Sequence, residues 1–391
     1  MIPIIKPAVF EEEAQAAAEA VRSGWLAQGP RVAAFEAELA GAVEAPEGVA
    51  LSSCTTALHL ALAAHGIGPG DEVIVPSLSF IATTNAVAHC GATPVFADVE
   101  DAVPNLSAAT VAPHIGARTR AVIVAHQVGF PADLGPLQAL CDAHGLLLLE
   151  DAACAIGSTY QGRRIGAVAA GHPGGALVAW SFHPRKVLTT GEGGALTLAD
   201  AALAARLRTL RQHAMSVNDQ QRHAIAGLLL PSYPEVGWNY RMTDVQAAIG
   251  RVQLGRLDAI VARRRELAAR YGEQLLAATQ SAGITLPVDP PWGTTNHQSY
   301  VVRVAGGASR RDAVLDALLR GGIGARPGIM AAHQEPAWAA LPRGPLPATE
   351  AWAAESIALP LFHTMQEEEQ ARVVASLLAA LSETTVDRRR P

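Results

Sequence analysis

Apolar residues recur three and four positions apart in "EEEAQAAAEAVRS" and "RVAAFEAELAGAV", and this spacing predicts two helices near the start of the chain. A different rhythm follows. "DEVIVPS" (71–77), "TPVFADV" (93–99), "RAVIVAHQ" (120–127) and "GLLLLEDAA" (145–153) are short, nearly continuous apolar runs. Such runs are expected of strands with both faces covered, as in a parallel sheet. Helical stretches separate them, one over residues 133–144. The alternation predicts an α/β fold with a mostly parallel central sheet.

After about residue 243 the rhythm changes. Residues 243–278 read as one long helical segment with Thr243 as its N-cap. Arg263, Arg264 and Arg265 read as a solvated face of that segment. "QSYVVRVAG" reads as a strand, "SRRDAVLDALLRGG" as a helix closed by glycine, and a final helix starts near Gln366. Two domains are therefore expected. A large one with an N-terminal arm covers residues 1–250, and a smaller C-terminal α+β one covers 251–391, beginning in a long connecting helix.

The totals narrow the function. A chain of 391 residues suits two domains at ~100–200 residues each. Half the residues are hydrophobic and 17% are charged, as in ordinary globular proteins. A net charge of −6 with no Lys/Arg stripe argues against nucleic acid as a partner. No apolar run reaches the ~18 residues of a membrane span, and "MIPIIKPAVFEEE" lacks the features of a signal peptide. Cys54, Cys90, Cys141 and Cys154 make no C-x-x-C pair, which argues against a zinc site or a disulfide framework. No metal is expected, and a reduced, cytoplasmic setting fits best.

Three stretches carry candidate chemistry. In "LSSCTTALHLALAA", Ser52, Ser53, Thr55 and Thr56 precede an apolar helical pattern. The N–H groups and dipole of a first helical turn make a phosphate cup, although the same residues also serve as ordinary caps. Glu150 and Asp151 end the apolar run "GLLLLED", where an α/β sheet binds ligands. They read equally as a cap or a surface pair. In "SFHPRKVLTTGEGGALT" (181–197), Lys186 stands between His183 and a glycine run at Gly191, Gly193 and Gly194. A buried lysine can lose proton affinity and become a nucleophile. Cup, strand-end acid and recessed lysine are the three fixtures that pyridoxal phosphate needs. A Rossmann dehydrogenase is excluded because no G-x-G-x-x-G turn follows the first strand.

These residues carry a resemblance. With "SSCTTALHLAL", "GDEVIVPSLSF", "GATPVFADV", "EDAACAIGSTYQGRRIG", "SFHPRKVLTTGEGG" and "VGWNYRMTDVQAAIGRVQLGRLD", the chain resembles the DegT/StrS-type sugar aminotransferases over almost its whole length. The resemblance implies an aspartate-aminotransferase-like fold, pyridoxal-phosphate fold type I. It implies a Schiff base on Lys186, Asp151 against the pyridine nitrogen, and Phe80 stacked on the ring. Thr55, Thr56 and Ser181 would hold the phosphate, and Asn239 would reach the phosphate of the neighbouring subunit in a homodimer with shared sites. Cys154, His183, Arg241 and His333 would lie by the substrates. Cys154 stands where many relatives have His or Gln, and Cys54 where Gly or Ala is usual. The implied reaction moves an amino group from L-glutamate to a keto sugar, nucleotide-linked, by a ping-pong mechanism. A keto-cyclitol aminotransferase, a dehydratase of the same family and a non-catalytic regulator that binds the cofactor are the alternatives. Lys186 favours transamination over dehydration, because dehydratase relatives carry histidine there.

Overall fold

The computed structural model describes residues 1–167, 177–217 and 230–385. The four apolar runs form β2 (Glu72–Pro76), β3 (Thr93–Ala97), β4 (Thr119–Ala125) and β5 (Leu147–Asp151), preceded by β1 (Glu47–Leu51). A small ribbon, β6 (Thr159–Tyr160) and β7 (Arg163–Arg164), follows, and then β8 (Leu177–Ser181) and β9 (Gly194–Leu198). Seven of these strands make one sheet in the order β1-β9-β8-β5-β4-β2-β3. Strands β8, β5, β4, β2 and β3 are mutually parallel, and β9 alone runs against its neighbours. The sheet is thus mostly parallel, and its central strands are buried on both faces, as their unbroken apolar character requires.

Helices α1 (Glu11–Arg22), α2 (Pro30–Ala42), α3 (Cys54–Ala64) and α4 (Ile81–His89) frame this sheet. Two early elements are anchored by late residues. The buried Asp244 carboxylate accepts from the amides of Gly29 (2.9 Å), Arg31 (3.2 Å) and Val32 (3.0 Å) at the start of α2, where a negative charge complements the helix dipole. Gln253 Nε2 donates to Glu13 of α1 at 2.6 Å.

A second sheet lies in the C-terminal part. Strands β10 (Ile284–Thr285), β12 (Tyr300–Val304), β13 (Arg326–Pro327) and β14 (Ser356–Leu359) pair in the order β10-β12-β14-β13, while β11 (Gly293–Thr294) joins β6. Helices Gly307–Arg320 and Glu367–Thr385 pack against it. The chain start belongs here too. The Ile2 amide donates to Gly322 O at 2.8 Å, the Gly324 amide to Ile2 O at 2.8 Å, and the Leu361 amide to Ile4 O at 3.1 Å.

The segment expected to be one helix is two, Asp244–Leu254 and Leu257–Ser281. Thr243 caps the first, its hydroxyl accepting from the Gln246 amide. At the break the Gly255 amide still reaches Arg251 O, but the Arg256 amide bonds Gln253 O three residues back, tightening the turn and ending the helix. The second helix links the two cores. Leu257, Ile260 and Val261 pack beside the large sheet, and Leu267, Tyr271 and Leu275 beside the small one.

The arginine cluster is not a solvated face. Arg264 is 1% exposed. Its guanidinium donates to the carbonyls of His297 (2.9 Å), Gln298 (2.7 Å) and Leu361 (3.2 Å). Arg265 donates to Thr295 O and Gly157 O, and Arg263 to Met365 O. The run sits where the helix crosses from one core to the other, so its charges meet loop carbonyls instead of water. Arg264→Met would strand three buried acceptors. Urea unfolding should show a loss of about 3 kcal/mol, and unchanged stability would refute this role.

That buried cation also governs two histidines. His297 and His363 are both pushed down to about 4, first by burial and next by the charge of Arg264. Both therefore stay neutral in the folded chain where an unfolded histidine, with a pKa near 6.5, already takes up protons. The folded state then binds fewer protons, so stability is fully present above about 6.5 and lost as pH falls toward 4. Melting temperature measured against pH should decline across that window. The decline should flatten in a His297→Asn/His363→Asn double variant, and a slope as steep as the parent's would exclude these two groups as its source.

Candidate active site

Strands β5 and β8 lie side by side in parallel, with Asp151 level with Ala179, so both chains leave the sheet at the same end. The segment between β8 and β9 folds back on itself there. The Phe182 amide donates to Gly193 O, the Thr190 amide to Phe182 O, and the Lys186 amide to His183 O. This closed loop carries Lys186 across the end of β5. Its Nζ lies 3.2 Å from Cys154 Sγ, three residues beyond Asp151.

Asp151 is buried and held from several sides. Thr83 Oγ1 donates to Oδ2 at 2.8 Å, and the Ala153 amide to Oδ1 at 3.2 Å. Cys54 Sγ lies 3.9 Å from Oδ1. Burial, and next the charge of Asp151, pushes the Cys54 thiol well up, so it is a neutral donor toward that carboxylate. Ser79 bonds Thr83 in turn at 2.8 Å. Glu150 points to the other face of β5, as strand alternation dictates, and meets His126 Nε2 at 2.9 Å. The Ala132 amide donates to His126 Nδ1, so the proton lies on Nε2, toward Glu150. The two acids are therefore neither a surface pair nor a cap.

Burial by itself would lower the proton affinity of Lys186. The interactions with Cys154, Asp151 and Cys54 outweigh it, and the amine is raised above its ordinary value. The recessed lysine is thus a charged amine in this chain by itself, and the lowered affinity that burial alone suggests does not hold.

The candidate cup is the start of α3. Ser53 is its N-cap, accepting from the Thr56 amide at 3.2 Å, while Thr56 Oγ1 turns back to Ser53 O and Ser52 Oγ. The amides of Cys54 and Thr55 belong to the first turn, where intrahelical partners are lacking. Gly194 closes the cup from below, since a Cβ there would overlap the Ser53 carbonyl and the Cys54 nitrogen. Ser181, partly buried, ends β8 beside it. The cap reading and the cup reading are compatible, because the capping hydroxyl satisfies one amide and leaves the others of the turn.

The remaining candidates surround this cluster. Phe80 is the N-cap of α4 and is 68% exposed, one helical turn from Thr83. Tyr240 ties the "NYRMTD" block to the cup, its carbonyl accepting from the Ser52 amide at 2.9 Å and its hydroxyl meeting His59 at 3.2 Å. Asn239, exposed and bridged to Gln212, and Arg241, partly buried, flank it. His183 stands on the lysine loop with Glu192 at 3.9 Å. His333 lies apart, 1% exposed. Its Nδ1 is 2.6 Å from Ser77 Oγ and its Nε2 3.5 Å from Glu350, docking the C-terminal loop just ahead of Phe80. Burial first, and Arg343 second, lowers its pKa.

A buried carboxylate, an amine within reach of it and a helix start pressed on glycine match the donor set that pyridoxal phosphate requires: a partner for its ring nitrogen, one for its aldehyde and one for its phosphate. Thr83 and the Cys154–Lys186 contact were not singled out from the sequence. The hydroxyl three residues after Phe80 in "SFIATT" is the one signal that could have drawn notice to Thr83.

A model of the DegT/DnrJ/EryC1/StrS aminotransferase family matches residues 7–378. GDP-perosamine synthase of Caulobacter vibrioides is 37% identical over 378 residues, 96% of this chain and 97% of that protein. The spore coat polysaccharide biosynthesis protein SpsC of Bacillus subtilis is 41% identical over 303 residues, 78% of this chain and 76% of that protein. Among solved structures, the aminotransferase TlmJ from Streptoalloteichus hindustanus matches with a TM-score of 0.88 at 37% identity, over 98% of this chain and all of the other.

Proposed function

The chain belongs to the DegT/DnrJ/EryC1/StrS aminotransferase family, and from that premise we propose that it moves an amino group from L-glutamate to a keto sugar carried on a nucleotide. The observation that carries this reading is the meeting of Lys186, Cys154 and Asp151 at the shared end of β5 and β8. Two relatives support the sugar, since one is named for perosamine synthesis and the other for a coat polysaccharide.

Pyridoxal phosphate, when bound, supplies an aldehyde that accepts the amino group and a ring that withdraws electrons. The first turn of α3, with Thr55, Thr56 and Ser181, holds its phosphate, and Phe80 covers its ring. Asp151, fixed by Thr83 and the Ala153 amide, pairs with the ring nitrogen and keeps it protonated. Lys186 would hold the aldehyde of the bound group. Its amine would take the proton from the donor Cα as base and return it as acid. His183 and Arg241 face the donor carboxylate, and His333 steadies the loop over the sugar. Asn239, exposed in the single chain, reaches the phosphate of a second copy, so two chains share their sites. Both substrates use one site in turn, and ping-pong kinetics follow.

An absorbance spectrum before and after L-glutamate tests the first half. The yellow band should fall as a near-ultraviolet band rises, and nucleotide-linked keto sugars should restore it. A yellow protein indifferent to glutamate would overturn the donor assignment.

A further inference from the structure

Arg185 directly precedes Lys186, and its backbone is pinned from both sides. Its amide donates to His183 Nδ1 at 3.2 Å, and its carbonyl accepts from Gln298 Nε2 at 2.6 Å. Arg185 lines a small cavity that Arg326 of β13 lines as well, both residues being exposed at its rim, together with Gln298, Ser299 and, from the chain start, Ile4 and Ile5. Among the described residues, neither guanidinium has an ion pair with a carboxylate. Arg303, on β12 of the same sheet, instead pairs with both Asp101 and Glu355. Gln298 is 6% exposed, and its Oε1 is buried without a partner. Two like charges facing one cavity repel each other, and a buried acceptor without a donor is unfavourable. Both conditions are relieved by a ligand that brings an oxyanion to the arginines and an N–H or O–H to Gln298. Partial desolvation lowers Arg326 from its ordinary value, the charge of Arg185 lowers it further, and Cys154 opposes them. The link to the lysine is the chain itself, since Arg185 on the cavity wall is the residue before Lys186.

We propose that Arg185, Arg326 and Gln298 form an oxyanion subsite beside Lys186 that grips a carboxylate or phosphate group of a substrate. Guanidinium forks match either group through paired hydrogen bonds. The subsite takes one arginine from the lysine loop and one from the small sheet, so a bound oxyanion bridges the two cores. This inference rests on the transferase reading for the identity of the substrate, but not for the binding itself.

The test is calorimetric titration of the cofactor-loaded protein, whose phosphate cup is filled, with two unreactive probes: glutarate and inorganic pyrophosphate. The parent protein should bind at least one. Arg185→Gln and Arg326→Gln should each weaken that binding about tenfold, the effect of losing one charge-assisted contact. Arg326→Lys, which keeps the charge without the fork, should fall between. A cofactor absorbance band like the parent's certifies that each variant is folded. Preference for glutarate identifies the donor carboxylate as the ligand, and preference for pyrophosphate the nucleotide. Binding of neither probe by the parent, or undiminished binding by the Gln variants, overturns the subsite. If the probes bind through these arginines while L-glutamate leaves the spectrum unchanged, the subsite stands and the assignment of L-glutamate as donor falls.

Discussion

Lys186→Ala should abolish turnover, by on the order of 10⁴-fold or more, because one amine is asked both to hold the cofactor and to move the proton. The loss should come without unfolding. Lys186 is only partly buried, its loop is closed by backbone bonds at Phe182, Thr190 and Gly193, and among the described residues its amine hydrogen-bonds to Cys154 alone. The variant should melt near the parent's temperature, lack the yellow band and still take up pyridoxamine phosphate through the cup and Asp151. Turnover within tenfold of the parent would remove the lysine from the chemistry. Normal turnover with a lost band would separate the two duties that the proposal joins.

Gly194→Ala should be among the most damaging glycine substitutions in the described residues. The added carbon would overlap the Ser53 carbonyl and the Cys54 nitrogen. These are backbone atoms of a buried strand-to-helix turn and cannot step aside as a flexible side chain would. Overpacking of this kind costs about 3 kcal/mol or more. Either β9 separates from β1, which it pairs with Gly194 opposite Leu51, or the start of α3 is displaced. Both outcomes spoil the cup, so thermal stability and affinity for pyridoxal phosphate should fall together. A variant with the parent's melting temperature and cofactor affinity would show that the close approach is dispensable. By contrast, Gly191 has open space around its missing Cβ, and its φ of +85° makes its demand conformational.

Much of the frame is legible in the sequence. Strands β2, β3 and β5 fall within the apolar runs, and β4 starts one residue ahead of its run, because a strand covered on both faces has no polar side and shows itself by composition alone. Strands β1, β8 and β9 are as buried, yet they lie among glycines and alanines where no rhythm marks them. The 243–281 region kept its helical period but hid its break, since Gly255 in a helical conformation leaves no gap in the pattern. The arginines misled for a physical reason. A run of charges reports a preference for polar partners, and here those partners are carbonyls of loops distant in sequence. In the site, Lys186 and Asp151 were legible because glycines and a strand end are local signals. Thr83 and the contact of Cys154 with Lys186 were not, since they depend on how α4 and the lysine loop approach β5.

The anchoring of the earliest elements by the latest ones has a consequence for synthesis. At ribosomal speed, about 5–20 residues per second, Asp244 emerges roughly 10–40 s after Gly29, the residue it must hold. Glu13 waits for Gln253, and Ile2 for Gly322, longer still. The helices over residues 11–42 are therefore among the last to settle, and for that interval their apolar faces depend on chaperones, or on their own solubility, to stay out of aggregates.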